Sequence, residues 1–374
     1  MKLSDFKFKL PPELIAQYPR YNRDDTRLMV VHRKSGLIEH KQMRDAADYF
    51  GEGDLLIFND AKVFPARLYS KKEKTLADIE VFLLRELNHD LRYWDVLVDP
   101  ARKIRIGNKL FFDEDSNIVA EVIDNTTSRG RTFRFLTDYN NDEFVPKLYA
   151  IGHTPLPKYI ERPMSPEVEA EYRKEYMIQA DEDFRAVVEE EDRARYQSIF
   201  ADKVGAVASP ATSAQFSKLL IKRLELNGAS SKTLTSYVSL GNFKEVDVED
   251  LSKHKTDSEH IIIPSSLVND VDAAHNKNCR VCAVGTEVMR ALEHVAGSTG
   301  QISAYDGWTN LFIFPPYNFS VANSMFVNFY FPQSSQQMMA VAFGGYENIM
   351  DAYRVAVQEG YRFGDFGDCM LIID

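Results

Sequence analysis

Asn278-Cys279-Arg280-Val281-Cys282-Ala283-Val284-Gly285-Thr286 is the stretch on which the reading of the fold turns. Val281 to Val284 run apolar without alternation, the pattern of a strand buried on both faces of a sheet. The run stops at a glycine, and Thr286 is a natural N-cap for a helix carried on through Val288 to Val295. Outward from this junction the same alternation repeats. Residues 216–226 predict an amphipathic helix, 233–238 a strand, 310–314 a further strand and 346–359 a helix. Toward the N-terminus, 11–16 read as a short helix with proline in its first turn, and 27–32 and 53–59 as strands. Strands and helices in this order imply an α/β layer.

Between Val63 and Phe144 the text changes. Runs such as Asp78-Ile79-Glu80-Val81-Phe82-Leu83-Leu84 and Trp94-Asp95-Val96-Leu97-Val98 recur at short spacing with Gly, Asn and Asp between them. Closely spaced strands without helical periodicity predict a small β-barrel or sandwich set inside the α/β region.

Bulk properties narrow the class. A chain of 374 residues, 44% hydrophobic and 27% charged, has room for two globular domains. No apolar run approaches the roughly 18 residues of a membrane span. Met1-Lys2-Leu3-Ser4-Asp5-Phe6 has no basic-then-apolar leader pattern, and three cysteines make no disulfide framework. The expectation is a soluble cytoplasmic protein with no membrane partner. A net charge of −11 disfavours a nucleic-acid partner on its face, but the charge is uneven. Residues 161–195 hold twelve acidic and six basic side chains. Residues 67–134 hold basic clusters: Lys71, Lys72 and Lys74, then Arg102, Lys103, Arg105 and Lys109, then Arg129, Arg131 and Arg134. These form either a cationic face for phosphates or the guarded edges of solvated hairpins.

Chemistry-bearing motifs are few. At Gly285-Thr286-Glu287-Val288-Met289-Arg290 a helix N-terminus favours an anionic or nucleotide ligand, although one glycine lacks the dinucleotide fingerprint. Cys279 and Cys282 fall on opposite faces of a strand and cannot chelate together. Eight scattered histidines include no H-E-x-x-H, and there is no G-x-S-x-G, so metal and serine-hydrolase chemistry find no support. His254 and His260 flank Asp257-Ser258-Glu259, a polar group able to supply an acid or base. Aromatic residues around Asn310 and Asn328, in 308–317 and 327–332, suit either purine stacking or a plain aromatic core.

The order of these segments resembles the S-adenosylmethionine:tRNA ribosyltransferase-isomerases of queuosine synthesis from end to end. The pieces that carry it are Leu10-Pro11-Pro12-Glu13-Leu14-Ile15-Ala16, Phe58-Asn59-Asp60-Ala61-Lys62-Val63-Phe64-Pro65-Ala66-Arg67-Leu68 and Gly152-His153-Thr154-Pro155-Leu156-Pro157. Arg195-Tyr196-Gln197-Ser198-Ile199-Phe200, Gly205-Ala206-Val207-Ala208, Val284-Gly285-Thr286, 308–316 and Tyr361-Arg362-Phe363-Gly364-Asp365-Phe366-Gly367-Asp368 follow. The resemblance implies an α/β fold: a larger α/β domain, 1–62 and 148–374, interrupted by an inserted small β-barrel domain, 63–147. It also implies ribosyl transfer from S-adenosylmethionine, as co-substrate and without a metal, to the 7-aminomethyl-7-deazaguanine wobble base of tRNA. Adenine and methionine leave, and epoxyqueuosine forms.

Four motifs depart from the family pattern, and a fifth keeps its polar residues. Gln215 stands for histidine in P-T-A-G/S-L-H-F. Tyr237 and Ser239 stand for histidine and glycine in T-L-H-x-G-x-G-T/N-F, here Thr235-Ser236-Tyr237-Val238-Ser239-Leu240-Gly241-Asn242-Phe243. Glu287 enters G-T-T-x-x-R, and Tyr330 replaces the histidine of N-F-H-x-P, here Asn328-Phe329-Tyr330-Phe331-Pro332. In H-x-M-H/D-S-E, His254, Ser258 and Glu259 remain. Neither glutamine nor ordinary tyrosine carries protons near neutral pH as imidazole does.

The resemblance assigns acid–base or charge work to His254, Glu259 and Arg290, with Tyr237, Gln215 and Tyr330 at the altered positions. It sets Gly285, Thr286, Asn310 and Asn328 around the adenosyl group, and Lys71, Lys72, Arg102, Lys103 and Arg105 against tRNA phosphates. The alternative is a catalytically divergent paralogue keeping the fold to bind nucleotide or RNA. Another S-adenosylmethionine-using enzyme, with Glu287 as its new acid or base, ranks third.

Overall fold

The computed structural model describes residues 1–112, 117–127, 129–162, 166–175, 177–179, 184–239, 245–297 and 299–374. Leu240 to Phe243 of the motif above, and parts of the acidic segment, lie outside the described residues. The chain divides into two compact units: 1–62 with 157–187 and 194–374, and 63–156 with 188–193. No helix among the described residues is long and apolar enough to cross a membrane.

The first unit is built on a nine-stranded sheet. Its strands are β1 (Arg27–His32), β2 (Ile38–Gln42), β3 (Leu55–Asn59), β12 (Ser230–Ser236), β13 (Glu259–Ile263), β14 (Val281–Val284), β15 (Tyr305–Thr309), β16 (Ser324–Asn328) and β17 (Cys369–Ile373). They lie in the order β15-β13-β12-β3-β14-β16-β17-β1-β2. At the centre β12, β3, β14 and β16 are parallel. The central strands β3, β14, β16 and β17 are buried at every position, as a sheet covered on both faces requires. Period-two alternation sorts their side chains. Leu55, Ile57, Ala283 and Met325 point to a core with α5 (Ser265–Asn276), α6 (Thr286–Ala296), α7 (Ser335–Gly344) and α8 (Tyr346–Gln358). Leu56, Phe58, Cys282 and Phe326 point to the opposite core, against Phe216, Leu220 and Leu224 of α4 (Lys218–Leu226) and its approach.

Two local expectations are corrected. Asn310 to Phe314 is irregular chain, and the strand lies one step earlier at Tyr305–Thr309. Residues 11–16 give only a single 3-10 turn, Pro12–Leu14, closed by the Leu14 and Ile15 amides donating to the Pro11 and Pro12 carbonyls.

The second unit is the expected barrel. Strands β5 (Arg67–Lys72), β6 (Asp78–Asn88), β7 (Tyr93–Asp99), β8 (Lys109–Phe111), β9 (Val119–Asn125) and β10 (Gly130–Leu136) close in the order β10-β7-β6-β5-β8-β9. Leu68, Val81, Leu83, Val96, Val98, Leu110, Ala120, Val122, Phe133 and Phe135 fill it. The helix α1 (Asn141–Ile151) starts at a capping box between Asn140 and Glu143. The ribbon β4 (Ala61–Val63) with β11 (Lys203–Ala206) and the helices α2 (Pro166–Glu175) and α3 (Phe184–Arg195) complete the elements.

Candidate active site

In parallel sheets, ligands collect beyond the carboxyl ends of the strands. Here those ends carry Asn59 of β3, Ser236 of β12, Val284 of β14 and Asn328 of β16. Around them stand most of the α/β-unit residues singled out in the sequence.

At the end of β14 the chain turns through Gly285, whose φ of +107° lies in the left-handed region that glycine tolerates. A Cβ there would lie 2.5 Å from Glu287 Oε1. Glu287 therefore folds back over the turn at the second residue of α6, and its carboxylate fills the space an external anion would take at this helix N-terminus. Burial pushes its carboxyl up to about 7, and the nearby Glu259 and Asp365 charges add to this against the pull of Arg290. Its Oε1 is buried without a hydrogen-bond partner among the described residues.

One turn along α6, the Arg290 guanidinium donates to Glu259 Oε2 at the start of β13. Both side chains are buried. Glu259 Oε1 accepts from the Ser239 amide at 2.9 Å and from its hydroxyl at 3.2 Å, while Arg290 Nε has no partner among the described residues. A cavity of about 10 Å³, room for one water, is bounded by Thr256, Thr286, Arg290, Leu311, Ile313 and Gln336 among others. Asn310 is exposed immediately before this lining, and the His254 ring lies 4.7 Å from that of Phe312.

Gln215, one of the altered positions, and the retained Asn328 are tied into the frame. Gln215 accepts from Thr26 Oγ1 at 2.9 Å and donates to the Asp365 carbonyl at 3.2 Å. Asn328 Nδ2 donates to the carbonyls of Gly364 and Asp365 at 3.2 and 3.3 Å. Both amides thus clamp the loop that presents Asp365. That carboxyl, 4% exposed, accepts from Tyr196 Oη at 2.9 Å and also binds the Tyr159 hydroxyl. Burial raises it to about 6, and the two tyrosines hold it below where burial alone would put it. Burial, then the charges of Asp365 and Glu287, raise the Tyr330 hydroxyl well above its usual range.

Tyr237 lies elsewhere, stacked 5.7 Å from the ring of His260, which in turn lies 5.3 Å from the half-exposed Trp308. Asp306 holds His260 Nε2 at 2.7 Å. The five basic residues belong to the barrel unit. Lys71 pairs with Asp78, and Lys72 Nζ donates to the Lys103 carbonyl at 2.6 Å, which brings β5 against the turn Ala101–Lys103. Arg102, Lys103 and Arg105 are exposed there. Arg131, by contrast, is buried and donates to the carbonyls of Ala101, Ile104 and Gly130.

The profile of the queuosine biosynthesis protein family matches residues 3–372. The chain belongs to this family. Its relatives are of equal length: S-adenosylmethionine:tRNA ribosyltransferase-isomerases of Parabacteroides distasonis, Bacteroides fragilis and Flavobacterium psychrophilum are 58%, 55% and 53% identical, with each chain covered in full. The crystal structure of the S-adenosylmethionine tRNA ribosyltransferase of Thermotoga maritima is 28% identical, with a TM-score of 0.52 over 99% of this chain and 100% of that one. Within the queuosine biosynthesis family fold, sequence reasoning missed Asp365, Tyr159 and Tyr196 as neighbours of the strand ends. A carboxylate between two glycines, in Gly364-Asp365-Phe366-Gly367, was the available signal. No group of three or more candidate metal ligands occurs among the described residues.

Proposed function

We propose that this protein transfers and isomerises the ribosyl group of S-adenosylmethionine onto 7-aminomethyl-7-deazaguanine in tRNA, releasing adenine and methionine and giving epoxyqueuosine. The observation that carries this reading is the end-to-end match to equal-length relatives of that name at up to 58% identity. The fold alone would not carry it. In chemical terms a base takes a proton from the ribose carbon beside the sulfonium, an acid assists the departure of adenine, and the primary amine of the base is the nucleophile.

The strand-end cluster suits such substrates. Glu287 Oε1, Arg290 Nε and Ser236 Oγ, buried without a hydrogen-bond partner among the described residues, offer polar contacts. Gly285 and Thr286, with Asn310 at the rim, are assigned to the adenosyl group, and Arg290 and Glu259 to holding the α6 start. Asn328 and Gln215 shape the Asp365 loop. His254 lies against Phe312 beside the small cavity, Tyr237 stacks on His260 away from the carboxyls, and Tyr330 feels both carboxyls.

Purified protein mixed with S-adenosylmethionine and tRNA bearing the aminomethyl base should release adenine, and only with that tRNA. A second reading, a binding paralogue without turnover, draws on Gln215, which replaces an imidazole and is engaged in structural bonds through both ends of its amide. It predicts bound S-adenosylmethionine or tRNA with no adenine.

The barrel's basic face is assigned to tRNA phosphates. Replacing Lys71, Lys72, Arg102, Lys103 and Arg105 together by alanine should weaken tRNA binding and reduce the slope of log K against log salt by roughly 0.7 for each phosphate no longer neutralised. A slope equal to that of the parent protein removes the assignment.

A further inference from the structure

The proposed reaction needs two proton carriers, and the three replaced imidazole positions supply none. Gln215 does not titrate, and burial raises the hydroxyls of Tyr237 and Tyr330 away from neutrality. The same strand ends hold two carboxyls buried more than nine-tenths, Glu287 and Asp365, in contrasting surroundings. Asp365 receives the hydroxyls of Tyr196 and Tyr159, which favour its ionised form. Glu287 has a buried oxygen without a partner among the described residues, which favours the neutral acid with its proton available to a ligand.

Resting on the reaction proposed above, we infer that Glu287 and Asp365 are the acid–base pair of this site, standing in for the replaced imidazoles. The Asp365 carboxylate takes the proton from the ribose carbon beside the sulfonium, leaving the electron pair of that C–H bond on the carbon. Glu287, protonated, gives its proton to an adenine nitrogen as the glycosidic bond breaks and its electron pair leaves with adenine. The amine then supplies the electron pair for the new carbon–nitrogen bond and sheds its proton to solvent. The pair left on the ribose carbon closes a bond to the carbon that lost adenine as the ring oxygen leaves that carbon, and this oxygen displaces methionine to give the epoxide. Transfer of the proton from Asp365 to Glu287 restores the starting state.

Glu287 meets Arg290 from its own helix, Glu259 from β13 and Asp365 from the loop before β17. Asp365 meets Tyr196 and Tyr159, and Tyr330 feels both carboxyls. The Asp365 charge helps raise Glu287, so the two titrations are linked, with burial lifting Asp365 to about 6 and Glu287 to about 7. Both values lie where an imidazole would titrate.

The test begins with the pH dependence of adenine release by the unmodified protein, which should be bell-shaped. Asp365→Asn should remove the acidic limb and Glu287→Gln the alkaline limb, each lowering kcat by about 100-fold or more. The affinity for S-adenosylmethionine, read by calorimetry, should stay close to that of the parent, so that a folding defect is told apart from a missing proton carrier. Turnover near the parent rate in either variant, with the pH profile unchanged, overturns the pair and leaves the reaction standing. If the unmodified protein releases no adenine, the reaction reading falls, and the pair is judged in D2O. Deuterium entering the ribose carbon beside the sulfonium, and absent from it with Asp365→Asn, upholds the base; no exchange in the unmodified protein overturns the pair as well.

Discussion

Arg290→Met should lower the unfolding free energy of the α/β unit by about 3–5 kcal/mol, the range found when one partner of a buried ion pair is removed. The guanidinium is the cation paired with Glu259, whose side chain is 2% exposed. Methionine fills much of the arginine stem's volume, so the loss reports the uncompensated carboxylate rather than a cavity. Glu259 would keep the Ser239 amide and hydroxyl, two donors that soften the penalty without neutralising the charge. The pair joins the first turns of α6 to the start of β13, so its removal also loosens the Gly285 turn and the wall of the small cavity. Urea unfolding followed by circular dichroism measures the effect. Adding Glu259→Gln to Arg290→Met should restore part of the stability, with a coupling of about 0.5–3 kcal/mol. A change below about 1 kcal/mol for the single variant would show that the pair does not organise this wall.

How far the text announced this architecture depends on whether a signal was local. The run Val281 to Val284 with its glycine stop needs only nearest neighbours to read as a buried strand entering a helix, and it stands as such in the sheet. The barrel was legible for the same reason, since Val81, Leu83, Val96 and Val98 alternate in register with their turns. The edge strand misled. Leu311-Phe312-Ile313-Phe314 has the apolar density of a strand but is irregular chain whose first three residues line the cavity, while Tyr305-Asp306-Gly307-Trp308-Thr309 has the look of a turn and pairs antiparallel with β13. An edge strand buries only alternate residues, so its composition constrains it weakly. Glu287 was visible as a charged residue entering a helix start. Asp365 was not, because its burial depends on Tyr159 and Tyr196, residues far away in sequence. The engagement of Gln215 and Asn328 by backbone carbonyls is equally non-local, and no spacing rule reaches it.

Glu287→Gln should make the protein more stable by about 3 kcal/mol at pH 8 and change it little at pH 4. The carboxyl ordinarily titrates at 4.5 and in the folded chain at about 7, so the folded state holds the proton more tightly than the unfolded one. Stability linked to this group is therefore fully present below 4.5. It falls as pH rises, and once pH has passed through about 7 it has dropped by roughly 1.36 kcal/mol for each unit between the two values. Glutamine keeps the shape and cannot ionise, so it escapes the loss. Asp365→Asn should act likewise in a lower window, from 3.8 to about 6. The Asp365 charge adds to the rise at Glu287, so the double variant should gain less than the sum of the singles. Urea midpoints at pH 4, 6 and 8 decide the matter, and equal differences between variant and parent at all three would refute a buried titrating Glu287. The comparison with turnover gives the result its meaning. A residue kept only for the fold should not destabilise it at working pH, whereas a group held ionisable for proton transfer does so as a consequence of its burial. Stability gained and turnover lost on the same substitution is the pattern expected of the acid; stability gained with turnover intact would make Glu287 a tolerated defect of the pocket.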